Sequence, residues 1–505
     1  MKKLLLLVVL VGSVLMLQAQ RLEKTDLMIE KFKSVIGKRL NSAVIQGLGS
    51  DESNYYVYYG MMGARGKFDA SFFVIDKKLT TAKEFPLTKD KEDRFVWVQA
   101  TEDDLIILLA RDKDQKTQIV KQLYAKKTGQ LKKETSIASF SKSKSDNWYF
   151  YSSTSPDKTK KCFMFMLANK NNSVDSYYAA VLNQDCEMEW NAIHELTISN
   201  EVFNMEDIAV NNKGDMYLAF YSQPKDRKKS SDKNSYIDLV HLSDGSKDKM
   251  NFQIGEEYYS GQIRLKILKN NDLYMAGIFS QILSKNFFSI KIDGSNFSVL
   301  GEYRQSFREF KSVAGEKYSQ PTNAENMKVN SIFELNNGDI AVLCERTTNR
   351  VEVMNGAVCG YTKERGDITT FFIRKDDASI DNTNIMEKKQ LSMSSVECSA
   401  QALHLSVFPF IYGDKIGFIF NDCLKKYATP AKYKGESFRK NPSGDDVCIV
   451  LNIQEKGEKD QLTVLTGSSL PAKRLVREIL FQEDNRLIVL TRNKNEAYIE
   501  TLTLP

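Results

Sequence analysis

The stretch Ile263-Arg-Leu-Lys-Ile-Leu268, Lys269-Asn-Asn271, Asp272-Leu-Tyr-Met-Ala-Gly-Ile278 carries the pattern that decides the fold. Its first part alternates apolar and basic residues, its middle is polar, and its last part is almost wholly apolar. Short runs rich in branched and aromatic residues predict β-strands, and Asn and Asp between two such runs favour a tight turn. The stretch therefore predicts a β-hairpin.

The same unit, an apolar strand, a polar turn and a very apolar strand, recurs along the chain. Two further strands complete it, as in Asn286–Ile292, the turn Asp293-Gly294, and Phe297–Tyr303. The pattern thus predicts a four-stranded antiparallel meander, present eight times at intervals of roughly 50 to 75 residues. The clear copies lie at 95–110, 207–221, 263–278, 331–343, 407–420 and 476–490, and two weaker copies at 42–61 and 148–168.

A lone meander cannot bury both of its faces, whereas meanders stacked around an axis bury them and leave only short edges. The eight units resemble the blades of the β-propeller superfold over nearly the whole of residues 20–505. The sequence lacks the Trp-Asp ending of WD40 repeats, the Gly-Gly pair of kelch repeats and the Ser-x-Asp-x-Gly-x-Thr-Trp box of sialidases. The resemblance predicts an all-β fold, a single propeller of eight four-stranded antiparallel blades, and implies no particular activity.

The eighth unit lacks a fourth strand, because only Ala497–Leu504 follows its hairpin. The segment Arg21–Leu40 has an apolar side formed by Phe32, Val35 and Ile36. We therefore expect this N-terminal segment to close the ring by joining the last blade. Part of it could instead form a short helix, since its apolar residues also have helical spacing.

Residues 1–19 have the pattern of a signal peptide: Lys2 and Lys3, an apolar run from Leu4 to Leu17, and Ala19 at the expected cleavage site. A retained membrane anchor is the alternative. A spanning helix needs about 20 apolar residues, and no later segment has them, so we expect no transmembrane segment in the mature chain. The prediction is an exported protein that is periplasmic, associated with the outer membrane, or extracellular.

Charge and composition argue against several function classes. The whole chain carries a net charge of +6, too small for the concentrated basic surface of a nucleic-acid-binding protein. It contains 3 histidines, His194, His241 and His404, which lie far apart in predicted strands and are interpreted as structural residues. Because no metal, cofactor or nucleophile motif occurs, we expect no cofactor and no metal, and the sequence selects no catalytic residue. An enzyme stays open but is the less favoured interpretation.

The 7 cysteines predict disulfides, because an exported protein meets an oxidising compartment. Cys162 begins a strand of the third blade and Cys186 follows the next strand, so the two are expected to be bonded. Cys423 and Cys448 flank the corresponding loop of the seventh blade and are a second candidate pair. Cys344 lies within an apolar strand and is expected to be free. The alternative is that all 7 are reduced residues of the core.

Long loops give the one indication of where a partner binds. On the propeller face that carries the loops from second to third strands, blades six and seven have long segments at 305–327, 347–366, 393–402 and 424–444, and such loops are commonly functional. They contain aromatic residues among lysines and arginines. We predict a binding, non-enzymatic module for a cell-envelope protein or a polysaccharide, with a glycan-active hydrolase or lyase at the channel mouth as the alternative. The aromatic candidates for binding are Tyr318, Tyr361, Tyr427, Tyr433 and Phe438.

Overall fold

The computed structural model describes residues 22–23 and 43–504 with gaps, the longest of which are 142–149, 307–326, 395–406, 424–446 and 466–473. The described residues form 34 β-strands and no helix. Within this part of the chain, no helix is therefore long and apolar enough to cross a membrane. The predicted signal peptide, 1–19, lies outside the described residues.

The strands pair into eight antiparallel sheets among the described residues, each formed by consecutive strands of the chain, except that the first strand joins the last sheet. We call these sheets blades and number them from the N-terminus. The first strand is β1 (Leu22–Glu23). Blade one contains β2 (Ala43–Ser50), β3 (Asn54–Met62), β4 (Phe68–Asp76) and β5 (Ala82–Pro86). Blade two contains β6 (Asp93–Ala100), β7 (Asp104–Lys113), β8 (Lys116–Ala125) and β9 (Leu131–Ser141). Blade three contains β10 (Phe150–Thr154), β11 (Lys161–Ala168), β12 (Val174–Leu182) and β13 (Met188–Glu195). Blade four contains β14 (Val202–Val210), β15 (Met216–Gln223), β16 (Ser235–Ser243) and β17 (Ser246–Gly255).

Blades five to eight follow the same order, with extra strands in blades five and six. Blade five contains β18 (Tyr258–Tyr259), β19 (Arg264–Ile267), β20 (Leu273–Gln281), β21 (Ser284–Ile292) and β22 (Val299–Ser306). Blade six contains β23 (Met327–Glu334), β24 (Ile340–Met354), β25 (Ala357–Ile373), β26 (Ile380–Met386) and β27 (Gln390–Ser394). Blade seven contains β28 (Val407–Tyr412), β29 (Lys415–Cys423), β30 (Val447–Gln454) and β31 (Gln461–Leu465). Blade eight contains β32 (Arg474–Glu483), β33 (Arg486–Asn493) and β34 (Glu496–Thr503).

Hydrophobic clusters between neighbouring blades join the sheets into a ring. The second strand of each blade explains them, because successive residues of a strand point to opposite faces of the sheet. In β20, Leu273 and Met275 pack towards blade four, while Tyr274 and Ile278 pack towards blade six. A second strand that is buried on both faces must be apolar throughout, and this is why the second run of each repeat is so apolar.

The ring closes between blade eight and blade one. One cluster combines Ile45, Tyr55 and Val57 of blade one with Ile488 and Leu490 of blade eight. Seven further clusters in the described part of the chain occupy the other junctions between consecutive blades. The eight-bladed propeller of four-stranded antiparallel blades predicted from the sequence is therefore confirmed.

The N-terminal segment contributes a short strand to the last blade. In β1, Leu22 lies opposite Leu502 of β34, and Glu23 lies opposite Thr501, so β1 is the outermost strand of blade eight. The rest of Arg21–Leu40 lies outside the described residues. Closure by that whole segment, and the helix considered as an alternative, stay predictions.

The prediction of a loop at 347–366 is wrong. Strands β24 and β25 continue their ladder through these residues, from Thr347 opposite Arg365 to Met354 opposite Ala357, and β27 pairs with β25 along Tyr361–Arg365. The neighbouring strands β23 and β26 stop pairing at Arg346 and Ile368. Blade six therefore carries a three-stranded extension, which we call the blade-six extension (347–365 with 390–394).

Candidate functional site

A cavity of ≈1020 Å³ lies at the centre of the ring. The innermost strands of blades one, two, three, four, five and eight contribute its walls. Each reaches the cavity with its last residues, at the point where it turns into the second strand; these residues are Ser50, Ala100, Thr154, Val210, Ile267 and Glu483. The cavity is thus the mouth of the central channel, on the face opposite the blade-six extension.

The lining mixes apolar and polar residues, and its polar members include more amines than carboxylates. Its titratable members are Lys158, Lys161, Lys266 and Glu483, and its amides and hydroxyls include Gln46, Gln99, Ser50, Ser153 and Thr154. Such a surface presents many donors and suits a ligand rich in oxygen acceptors.

Glu483, the carboxylate in this lining, is already engaged. Lys77 Nζ donates to Glu483 Oε1 at 2.7 Å, and Arg486 donates to its other oxygen. Burial by itself would raise the pKa of Glu483, but hydrogen bonds from Lys77, Arg486 and Tyr55 outweigh it and lower this pKa to about 2. Glu483 is therefore ionised and ion-paired at neutral pH, which is not the state of a general acid.

Lys161 is the most unusual group of the site. It is the first residue of β11 and is 3% exposed. Two positions after it, Phe163 packs towards blade two, so the alternation of the strand places Lys161 on the same face, against Trp97 of β6. Its Nζ lies 3.9 Å from the centroid of the Trp97 ring and 3.9 Å from Cys186 Sγ. Burial lowers the pKa of Lys161 to about 8.

Two other groups of the cavity are shielded from water. Burial lowers the pKa of Lys266, which lies in β19, the strand of blade five that reaches the cavity. The Oε1 atom of Gln99 is buried and has no hydrogen-bond partner among the described residues. A buried amide oxygen in this state favours a ligand that can donate a hydrogen bond to it.

The structure does not test the predicted aromatic binding residues. Tyr361 lies in β25, opposite Val351, and its side chain is outside the described part of the chain. Tyr318, Tyr427, Tyr433 and Phe438 also lie outside the described residues. Binding by these five residues stays a prediction.

The predicted disulfide between Cys162 and Cys186 is wrong, because both cysteines are free and buried. Cys162 packs in the cluster between blades three and four, whereas Cys186 packs in the cluster between blades two and three. The sheet of blade three separates the two thiols. Burial also raises the pKa of both, which keeps them protonated and unreactive.

The other cysteine predictions have different outcomes. In blade seven the register places Cys448 opposite Asp422, and Cys423 opposite Val447, so the two cysteines do not face each other in the ladder. The register thus gives no support to a Cys423–Cys448 bond. Cys344 is free and buried, as predicted.

The described histidines make ring contacts within the blade interfaces. His194 lies 5.4 Å from the ring of Tyr177, and His241 lies 5.0 Å from the rings of both Tyr217 and Phe297. His404 lies outside the described residues. In the part of the chain that the structure describes, no three His, Cys, Asp or Glu side chains form a group that could hold a metal ion.

Sequence reasoning missed the channel-mouth lysines. The signal that could have found Lys161 is a charged residue at the start of an otherwise apolar strand, Lys161-Cys-Phe-Met-Phe165, where the preceding blade would bury it. Its partner Trp97 belongs to a different repeat. The local pattern does not specify such a contact.

No protein-family model matches this chain, and no curated protein matches it. Among solved structures, the Dos1 propeller is 11% identical, with a TM-score of 0.41, over 89% of this chain and 90% of that one. The polysaccharide lyase Uly1 is 9% identical, with a TM-score of 0.36, over 83% and 92% of the two chains. A puromycin-hydrolyzing peptidase of Mycobacterium tuberculosis is 9% identical, with a TM-score of 0.35, over 80% and 61%. These values carry no argument about the function of this chain.

Proposed function

We propose that this protein is an exported, non-enzymatic propeller that binds a cell-envelope protein or a polysaccharide at the mouth of its central channel. One observation carries the proposal: six blades converge on a cavity whose polar groups are mostly lysines, amides and hydroxyls beside apolar residues. The innermost strands that form its walls also have one edge without a neighbouring strand in their sheets, so their backbone N–H and C=O groups can bond a ligand. The signal-peptide pattern of residues 1–19 supports export.

Blocking the cavity tests this proposal. The chain without residues 1–19 is immobilised and exposed to envelope polysaccharide and to detergent-extracted envelope proteins, and the retained material is measured. Ser50→Trp places a large side chain at the cavity and should abolish retention, whereas Ser246→Trp, on the exposed outer hairpin of blade four, should leave it unchanged. Equal retention by Ser50→Trp would move the binding site away from the channel mouth.

A glycan-active lyase or hydrolase at the same cavity is the second candidate, and Lys161 favours it. A lysine whose pKa burial lowers to about 8 can act as a general base near neutral pH. Incubation with envelope polysaccharide separates the two functions. A binding protein leaves the chain length unchanged, whereas a lyase or hydrolase releases shorter chains in proportion to time.

A further inference from the structure

Among the described residues, the lysine side chains that are buried obtain oxygen partners, with one exception. Lys388 pairs with Glu345, and Lys126 donates to the backbone oxygens of Thr101 and Glu102 at 2.7 and 2.9 Å. Lys161 is equally buried, but the hydrogen-bond partner found for it in the described structure is the weak acceptor Cys186 Sγ, and its charge rests on the Trp97 ring. A buried ammonium without an oxygen acceptor is costly to the protein, unless a ligand provides that acceptor.

Lys161 is also the buried lysine that lines the channel-mouth cavity. Lys266 of blade five and Lys158, in the turn before β11, also line the cavity, so the lining carries three amines. The charge of Glu483 is matched by Lys77 and Arg486. The charge of the cavity therefore favours an anion.

The remaining lining groups favour hydroxyls around that anion. Gln99 presents a buried oxygen that lacks a donor, and Ser153, Thr154 and Gln46 can each donate and accept. Sugar hydroxyls do both as well. A cavity of ≈1020 Å³ lies at the upper end of the range of about 300–1,000 Å³ that small-molecule sites occupy, so it can receive several linked sugars.

We infer that the channel mouth binds a carboxylated polysaccharide, with a uronate carboxylate accepting a hydrogen bond from Lys161 Nζ and sugar hydroxyls bonding Gln99 and its neighbours. This inference rests on the proposed binding function and deepens it by naming the ligand class. An acidic peptide is the competing ligand; it supplies a carboxylate but not the hydroxyls that fit the rest of the lining.

Titration calorimetry with a short oligogalacturonate tests the inference, and its methyl ester is the matched control. The ester keeps the size and the hydroxyls and removes the charge. We expect the acid to bind about tenfold to a hundredfold more tightly than the ester, as a hydrogen bond between two charged groups allows. Equal binding of acid and ester, or no binding of the acid, would overturn the inference. The proposed binding function would still stand, because the retention experiment with Ser50→Trp tests it separately for a neutral polysaccharide or a protein ligand.

Substitutions at Lys161 assign the effect to this residue. Lys161→Met should lower the affinity for the acid to that for the ester, and Lys161→Arg should restore much of the difference. Lys160→Met is the control, because the neighbouring Lys160 pairs with Glu189 and does not line the cavity. Thermal unfolding identifies any variant that fails to fold, and the acid-to-ester comparison on the unmodified protein needs no variant.

The pH dependence of binding provides a second readout. Besides burial, the neighbours that act on the pKa of Lys161 are Cys186 and Asp185, which favour its protonated form, and Lys121, which opposes it. Because the pKa of Lys161 is about 8 in the free protein, the affinity for the acid should decrease as the pH rises above about 8. Lys161→Arg should show no such decrease. Tighter binding of a polyglutamate peptide than of the oligogalacturonate would assign the site to a protein partner and would contradict the inference.

Discussion

At the scale of single residues, the charges buried inside the ring differ in how they are satisfied. Lys388 and Glu345 form an ion pair with side chains 0% and 3% exposed. Lys388 Nζ also donates to Gln390 Oε1 at 3.1 Å, and Gln390 Nε2 donates to the backbone oxygen of Asn421 in blade seven. This network connects blade six to blade seven with buried polar groups, in addition to the apolar cluster of the same junction.

Removing one partner of the buried pair should be strongly destabilising. Lys388→Met leaves the Glu345 carboxylate buried without its cation, which costs about 3–5 kcal/mol in the free energy of unfolding. Urea denaturation followed by tryptophan fluorescence measures this. The double variant Glu345→Leu/Lys388→Met should recover most of the loss, because no charge remains buried.

The matched control for this prediction is an exposed pair. Lys415 and Glu455 lie 2.6 Å apart with side chains 31% and 43% exposed, so Lys415→Met should cost at most about 1 kcal/mol. Equal losses for Lys388→Met and Lys415→Met would show that the buried network does not stabilise the junction.

At the scale of elements, the blade-six extension differs from the strands that form the ring. Among the residues whose side chains are described, the hydrophobic core members of β24 and β25 lie before Arg346 and after Asp367, for example Val342, Leu343 and Phe371. Residues 347–365 pair with each other and with β27 instead. The hairpin signal was present in the sequence as Asn355-Gly356 between Val351, Val353 and Val358, a pattern typical of two-residue hairpins.

Shortening this hairpin should leave the ring folded. If Asn349–Lys363 is replaced by Asn-Gly, the clusters between blades five and six and between blades six and seven keep all their members. We expect the thermal midpoint to change by only a few degrees and the circular dichroism spectrum to keep its β-sheet form. A loss of cooperative unfolding would show that the extension is part of the propeller core.

At the scale of the whole molecule, the junction between blades eight and one decides whether the ring is closed. Tyr55 stacks on Phe481 with ring centroids 4.8 Å apart, and Lys77 bonds Glu483 across the same junction. The backbones also approach closely, because a Cβ atom on Gly47 would lie 2.0 Å from the carbonyl oxygen of Leu480. Glycine at position 47 therefore allows the two innermost strands to meet.

Acid should weaken this junction through Glu483. The pKa of the Glu483 carboxyl is about 2 in the folded protein, compared with an ordinary value of 4.5. The ionised carboxylate therefore contributes its full stabilisation above about pH 4.5, and this contribution is lost as the pH falls through about 2. Glu483→Gln should therefore be less stable than the unmodified protein at about pH 7, and the difference should shrink towards about pH 3. Urea denaturation at both pH values measures the two free energies.

Glu302→Gln serves as the control, because Glu302 pairs with Arg304 on the same exposed strand and does not join two blades. It should change the free energy of unfolding little at either pH. If Glu483→Gln behaved in the same way, the ion pair would not contribute to ring closure.

The sequence by itself determined the grouping of strands into eight meanders and the ring, but not the strands of the blade-six extension. Those features depend on local patterns: a second strand such as β20 is apolar throughout because both of its faces are covered, and that composition is visible without coordinates. Which residues meet across the blades was decided by the tertiary structure. A shift of one position along a strand moves a side chain to the opposite face, so Cys162 and Cys186, close in sequence, are separated by their own sheet. For the same reason Lys161 and Trp97, which belong to different repeats, come together at the channel mouth only when the blades stack.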